Sequence, residues 1–452
     1  MADRVEPMGA DAARRVLEAA LDGAPGSQVE ALLFHEWGGL TRFADSSIHQ
    51  STFREDASLR VRVVRDGRVA VASTNELTPE GAAGAAKSAR EMAEVASPDK
   101  LFPGLAPKAD VPAKDAFDDA TASATPEDRA EGVAAMVGQA GDGFRAAGSY
   151  ETGGAEIALA NTEGQFCYGP TTQASVTALV SGGDGGAGYV EAWSVSSGGL
   201  DLEAIGRRAA GKAHDSQAPR DVEPGRYEVV LEPAAVATLV AFLSWLGFGG
   251  RAIVEGRSCL SGKEGQQVAA PSISIADDVL APGMPGAAFD FEGTPKRRVD
   301  MIRGGDFEGG VHDRRSAKQA GVESTGHALP APNPEGAFPL NLVLEPGDAS
   351  VEDMIASTKR GLLVTRFHYS NVVHPIESVI TGMTRDGTWW IEDGEVRHPV
   401  KNLRFTQSIL EALSGTEMVG RDTELASEFF FSASSVPALK LSSFHFTGRS
   451  DH

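Results

Sequence analysis

The stretch GLLVTRFHYSNVVHPIESVITGMTRDGTWWIEDGEVRHPVKNLRF, residues 361–405, decides the fold class. It reads as a run of strands with marked turns. Leu362, Val364 and Phe367 open a half-buried strand. Val379 and Ile380 belong to a second, Trp389 and Ile391 to a third, and Val396 and Val400 to a fourth. Asp393-Gly394 between the last two is the signal for a tight hairpin, because such a turn needs positive φ at its centre. Asp386-Gly387 is read as a second turn of the same kind. Beside the first strand lies a polar and aromatic knot, Arg366, His368, Tyr369 and Asn371.

Working outward, the spacing predicts a helix over 11–22, with Val16, Leu17, Ala20 and Leu21 on one face. Strands follow at 29–37, 59–64 and 69–73. Thr78 and Pro79 then open a helix running to about residue 95, a cap followed by a residue preset for the first turn. Residues 96–124, rich in Pro, Asp, Ala and Lys, read as a linker over the surface. Thr125-Pro126 starts another helix, followed by strands at 156–161, 165–179 and 189–196 and a helix at 202–214. After Gly225 come the strand 227–231, a wholly apolar helix at 234–246 and alternating strands and loops. The expected architecture is α+β. It comprises an α/β N-terminal domain (1–95), a linker (96–124), a small α/β middle domain (125–220) and a large mainly β C-terminal domain (225–452).

A chain of 452 residues has room for a large core in more than one domain. Its net charge of −22 argues against nucleic acid as a partner, since phosphate contacts need clustered Lys and Arg. Cys167 and Cys259 are the only cysteines, too few for a disulfide framework or a Cys-rich zinc site. Residues 1–23 mix charges through an amphipathic helix and lack the apolar core of a signal peptide. The most apolar run, 234–248, falls short of the roughly 20 residues that a membrane span needs. A reduced, cytoplasmic setting without membrane attachment is expected.

Several residues invite a chemical reading. His35-Glu36 begins like a zinc-protease HExxH, but position 39 is Gly and the dipeptide sits on a strand, so His35 reads as a structural histidine. SGGDGGAG at 181–188 lacks the Lys-Ser/Thr of a phosphate loop and reads as a hairpin tip. No G-x-S-x-G elbow is present, and Ser258-Cys259 has no local base. His312-Asp313 and His374 read as polar loop residues. Asp277-Asp278 and Glu292 have the chemistry for a hard cation and read as solvated acids.

GLLVT, TGMTRDG, IEDGEV and PVKNLRF, together with LVLEPGDASVEDMI (342–355) and HDRRSAKQAGVESTGHA (312–328, containing Ser324 to Gly326), resemble the TldD/PmbA (TldD/TldE) family. The similarity runs from about 32 to 413 and is strongest after 226. Catalytic members carry HExxxH on the helix after the strand that here reads VVL. Spacing from Val229-Val230-Leu231 puts Ala241, Phe242 and Leu246 in the three roles, and the family's Cys ligand falls at about Phe367. None of these binds a cation or moves a proton. Residues 234–250 contain no His, Glu, Asp or Cys, and His368 alone makes no zinc site.

The chain therefore resembles the TldE/PmbA-type subunit without the zinc motif. The resemblance implies a heterodimer with a TldD-like zinc metallopeptidase, a peptide or peptide-derived substrate, and no catalytic residue, metal or cofactor of this chain's own. The zinc is expected in the partner. Arg366, His368 and Tyr369 are the candidates for lining the shared substrate cavity; a hydrogen-bonded core cluster is the alternative for them. Two other functions stay open. One is a dedicated pair maturing a peptide-derived natural product such as an antibiotic. The other is an independent hydrolase with a non-zinc site at Arg366, His368 and Tyr369.

Overall fold

The computed structural model describes residues 5–427 and 433–450. Strands β1 (Gln28–Ala44), β2 (Ser47–Arg65), β3 (Arg68–Thr74), β4 (Phe144–Asn161), β5 (Phe166–Gly182) and β6 (Gly186–Ser194) form one six-stranded sheet in the order β3-β2-β1-β4-β5-β6. β1 pairs with β4 from Glu30↔Asn161 to Phe43↔Gly148, so the strands before and after the Pro-rich segment share a single sheet. Alternation along β1 and β2 sends Val29, Ala31, Leu33, Leu59, Val61 and Val63 to the face covered by helices Ala10–Asp22 and Pro79–Val95. Further along, Phe43, Val176 and Val180 pack with helices Pro126–Val137 and Leu202–Asp215. The predicted cap at Thr78 forms, and the helix expected after Thr125 is capped as well. Thr78 Oγ1 accepts from the Gly81 amide, and Thr125 makes a reciprocal capping box with Asp128.

The segment between the two halves of the sheet is strapped down. Leu105, Ala106 and Ala116 are buried, and Asn161 Nδ2 donates to the Ala106 carbonyl at 2.8 Å. Lys114 reaches across to the carbonyls of Val279 and Met284, the second at 2.6 Å.

The C-terminal region is built on β7 (Gly225–Leu231), β8 (Ile275–Asp277), β9 (Val299–Arg303), β10 (Asp306–Phe307), β11 (Asn341–Leu344), β12 (Arg360–His374), β13 (Val379–Glu392), β14 (Glu395–Pro399), β15 (Leu403–Ser408), β16 (Thr416–Ala426) and β17 (Ala433–Arg449). These eleven form one sheet among the described residues. β17 pairs with β15 on one side and with β7 on the other, so β7, β12, β13, β15 and β17 return on themselves as a ring. Closure hides edges that would otherwise expose unpaired backbone. Phe367, Phe405, Phe444 and Phe446 bury their rings together, with neighbouring centroids 4.5–5.4 Å apart. The fold is thus α+β, an α/β N-terminal region joined to a large mainly β C-terminal sheet.

Two expectations change here. The second and third strands expected in the 361–405 stretch are one, β13, and Asp386-Gly387 lies within it. Both residues do take positive φ (55° and 129°), but they make an irregularity opposite Val364 and Arg366 rather than a reversal. A Cβ at Gly387 would meet Trp389 at 2.5 Å and Thr365 Oγ1 at 2.7 Å, so only glycine fits. Asp393 (φ 52°) and Gly394 (φ 80°) do turn the chain, from β13 into β14.

The apolar helix spans Pro233–Gly247, opened by Pro233, and is buried nearly all round against β12 and β17. Trp245 departs from this. It is 54 % exposed, so a charge there is not forced into the core. No described helix is long and apolar enough to cross a membrane.

Candidate functional site

A cavity of about 290 Å³ opens where β6, at the edge of the first sheet, meets β12 and the apolar helix. β6 contributes Tyr189 and Glu191, the helix contributes Phe242, and β12 contributes Arg366 to Ser370. Beyond Val364, β12 no longer pairs with β7, which leaves this part of the strand to face the cavity.

Arg366, His368 and Tyr369 all line this space. Arg366 Nε donates to Asp386 Oδ2 at 2.8 Å, and a second guanidinium nitrogen reaches the same oxygen. The irregularity at Asp386-Gly387 places that carboxylate. The guanidinium carbon also lies 3.9 Å from the centroid of the Tyr189 ring. His368 packs on Tyr369, centroids 4.5 Å apart. Burial, with Arg366 and Arg385 nearby, pushes the His368 imidazole below its ordinary value of 6.5, which favours the neutral ring. Tyr369 is 73 % exposed and takes φ 52°, at a bulge where His368 and Asn371 oppose Met383 and Thr381. Positive φ is uncommon for a residue of this bulk. Asn371 Nδ2 donates to the Tyr369 carbonyl at 3.4 Å, and the residue is exposed. Arg366, His368 and Tyr369 thus stand at the edge of the cavity, with Arg366 held by hydrogen bonds, and Asn371 lies outside its lining.

Sequence reasoning missed Glu191. Tyr189 Oη donates to its Oε2 at 2.7 Å, while Oε1 is closed to solvent and takes no hydrogen bond from the described residues. Burial raises the Glu191 pKa, against the pull of the Tyr189 hydroxyl and Arg366. Behind it lies a set of self-paired charges, Lys212 with Glu232 and Arg208 with Glu424 (2.6 Å). Nothing local in GYVEAWS announces this role, since it depends on a strand brought alongside from far down the chain.

The remaining candidates lie elsewhere in the fold, paired or buried. His35 is buried and joins Glu156 (Nδ1, 2.8 Å) and Glu55 (Nε2, 3.1 Å). Glu156 also accepts from the Met8 and Gly9 amides and the Tyr168 hydroxyl, which ties down the chain before the first helix. Asp277 and Glu292, expected to be solvated, are buried and paired. Asp277 meets His327 Nε2 at 2.9 Å and the Asn341 amide at 2.7 Å, and despite burial His327 and Lys296 bring its carboxyl down to about 2. Glu292 and Glu30 share Arg62. His312 Nδ1 sits 3.2 Å from Ser316 Oγ. Cys167 and Cys259 are free thiols, pushed up by burial to about 12 and about 11.

With this geometry in view, the class of protein is clear. The fold is shared with the crystal structure of TldE from Thermococcus kodakarensis, at TM-score 0.87 and 22 % identity over 97 % of this chain and 100 % of that one. Three domain profiles of one family match in order: PmbA/TldA metallopeptidase domain 1 over residues 29–93, the central domain over 107–217 and the C-terminal domain over 224–448. The chain belongs to the PmbA/TldD family. It is 25 % identical to the metalloprotease PmbA of Escherichia coli O157:H7 over 95 % of both chains. It is also 27 % identical to a metalloprotease of Methanothermobacter thermautotrophicus, over 51 % of this chain and 50 % of that one.

The metal that such names imply can be tested against the residues present. At the four positions that the resemblance gives to its ligands and base, Ala241, Phe242, Leu246 and Phe367 are buried, and none carries a nitrogen, oxygen or sulfur donor on its side chain. Among the described residues no group of three or more His, Cys, Asp or Glu is arranged to hold a metal. The residues at this place do not fit zinc.

Proposed function

We propose that this chain is a TldE/PmbA-like subunit of a two-chain metallopeptidase, completing the peptide-holding cavity of a TldD-like partner that carries the zinc. The observation that carries this reading is the replacement at the expected metal position. Phe242 and Phe367 stand there as walls of a cavity that also presents Arg366, His368, Tyr369 and Glu191. A polar and aromatic wall on a rigid strand suits a peptide, whose backbone offers both donors and acceptors. Beside the cavity the β12–β13 hairpin leaves Val373 and Ile376 exposed, apolar surface of the kind that a partner covers. Two buried free thiols accord with a reducing cytoplasm.

Co-expression with an HExxxH-bearing homologue tests the assignment. The two chains should co-purify, and peptidase activity should require both. An isolated chain that holds one zinc per monomer and cleaves peptides by itself would overturn it.

A further inference from the structure

We propose that the cavity binds a primary ammonium group of a peptide, either its free amino terminus or a lysine side chain, with the Glu191 carboxylate as acceptor. This rests on reading the cavity as a peptide holder. The charges around Glu191 carry the argument. Arg366 is committed to Asp386 and to the ring face of Tyr189, Lys212 to Glu232, and Arg208 to Glu424. Each of these cations has its own carboxylate. Glu191 has none, and its Oε1 takes no hydrogen bond from the described residues. An enclosed carboxylate without a partner is costly; Oε1 is closed off as it stands, and a rotation of the Glu191 side chain that brings it to a cation in the cavity recovers most of that cost. A neutral amide would satisfy the oxygen but leave the charge unbalanced.

The space selects where such a ligand goes. A second void behind Glu191, bounded by Lys212, Glu232, Thr365 and Glu424, measures about 10 Å³. That is the lower limit for one water. The 290 Å³ cavity on the other side admits an aminomethyl group with its stem, and Phe242, Phe367 and Tyr369 supply apolar walls for the stem. Burial keeps the Glu191 carboxyl protonated to higher pH than usual, and an arriving ammonium opposes this. Binding therefore releases a proton from Glu191 wherever the free carboxyl still holds one. His368, held neutral, adds no competing charge.

Calorimetry on the full chain with three peptides tests the inference: pentaalanine amide with a free amino terminus, its N-acetyl form, and N-acetyl-Ala-Ala-Lys-Ala-Ala amide. The N-acetyl pentaalanine should bind at least about tenfold more weakly than an ammonium-bearing peptide, the worth of one hydrogen bond to a charged group. The other two arms tell terminus from lysine. Glu191→Gln should abolish the difference. Repeating the titration in buffers of different ionisation enthalpy reads the proton release on the unaltered chain, so the test survives if the variant folds poorly. If all three peptides bind alike and Glu191→Gln changes nothing, the inference is overturned and the peptide cavity stands, with water satisfying Oε1. If no peptide binds at all, the cavity reading falls and this inference falls with it.

Discussion

Arg366 on β12 lies over the ring of Tyr189 on β6, its guanidinium carbon 3.9 Å from the ring centroid, while Asp386 accepts hydrogen bonds from its nitrogens. One side chain thereby joins the edge of the first sheet to the C-terminal ring. Arg366→Ala takes from the buried Asp386 its close cation, leaving only Arg385 Nε at 3.8 Å from Oδ1, and removes the stack. It should lower unfolding free energy by about 3 kcal/mol, the lower end for breaking a buried pair. Arg366→Met with Asp386→Asn should recover much of that loss in urea denaturation, because no buried charge is then left unpaired.

The His368 imidazole makes no hydrogen bond among the described residues, and His368 lines the cavity. His368→Ala should cost no more than about 0.5 kcal/mol of stability. In the co-purified pair it should lower turnover with assembly unchanged. A large drop in melting temperature would return His368 to a structural role.

The His35 cluster should make stability depend on pH with a definite sign. The hydrogen bond that His35 Nδ1 donates to Glu156, outweighing burial, raises the His35 pKa above its ordinary 6.5. Its contribution is therefore complete below pH 6.5 and is lost as pH rises through the higher folded value. Glu156 shifts the other way. Burial works against it, but His35, Tyr168 and the Gly9 and Met8 amides outweigh burial and lower its pKa below 4.5. Its contribution holds above 4.5 and is lost as pH falls through the folded value. The stability gap between the parent chain and His35→Gln should thus be widest between pH 4.5 and 6.5 and narrow on the alkaline side. A gap that widened with rising pH would contradict this.

Arg62 is the sole cation hydrogen-bonded to Glu30 and Glu292 among the described residues, at 2.8 and 3.2 Å, and so ties the first sheet to the segment before β9. Arg62→Ala should cost about 3–5 kcal/mol, since two buried carboxylates lose their partner. Chemical denaturation reads it directly.

Within the apolar helix the cost of substitution should follow exposure. Leu243 is fully buried, and Leu243→Ala should cost about 2–5 kcal/mol. Trp245→Asp should cost distinctly less, because more than half of that side chain meets solvent. Thermal melts of the two variants compare them.

Much of this architecture was legible. Caps at Thr78 and Thr125, alternation in β1, β2 and β5, and the apolar run after Pro233 each follow from local chemistry. The two Asp-Gly pairs show where legibility ends. Both announce positive φ, but a reversal and a bulge need the same dihedrals, and only cross-strand pairing separates them. Arg366, His368 and Tyr369 could be picked out because three unusual residues crowd one strand. Glu191 could not, because its significance comes from what fails to bond it after distant strands meet. Trp245 could not be told from core for a related reason: a helix apolar on every side gives no period from which to pick out an exposed position.

The closure of the C-terminal ring also sets an order of events. β7 is made early, yet its second neighbour, β17, is supplied only far downstream, at Leu439 to Phe446. Until those residues arrive, β7 keeps a bare flank, and the helix that follows it has no floor on that side. A chain that stops short of those residues therefore lacks a finished cavity. The wall that holds the apolar helix is complete only once Leu439 to Phe446 have been made.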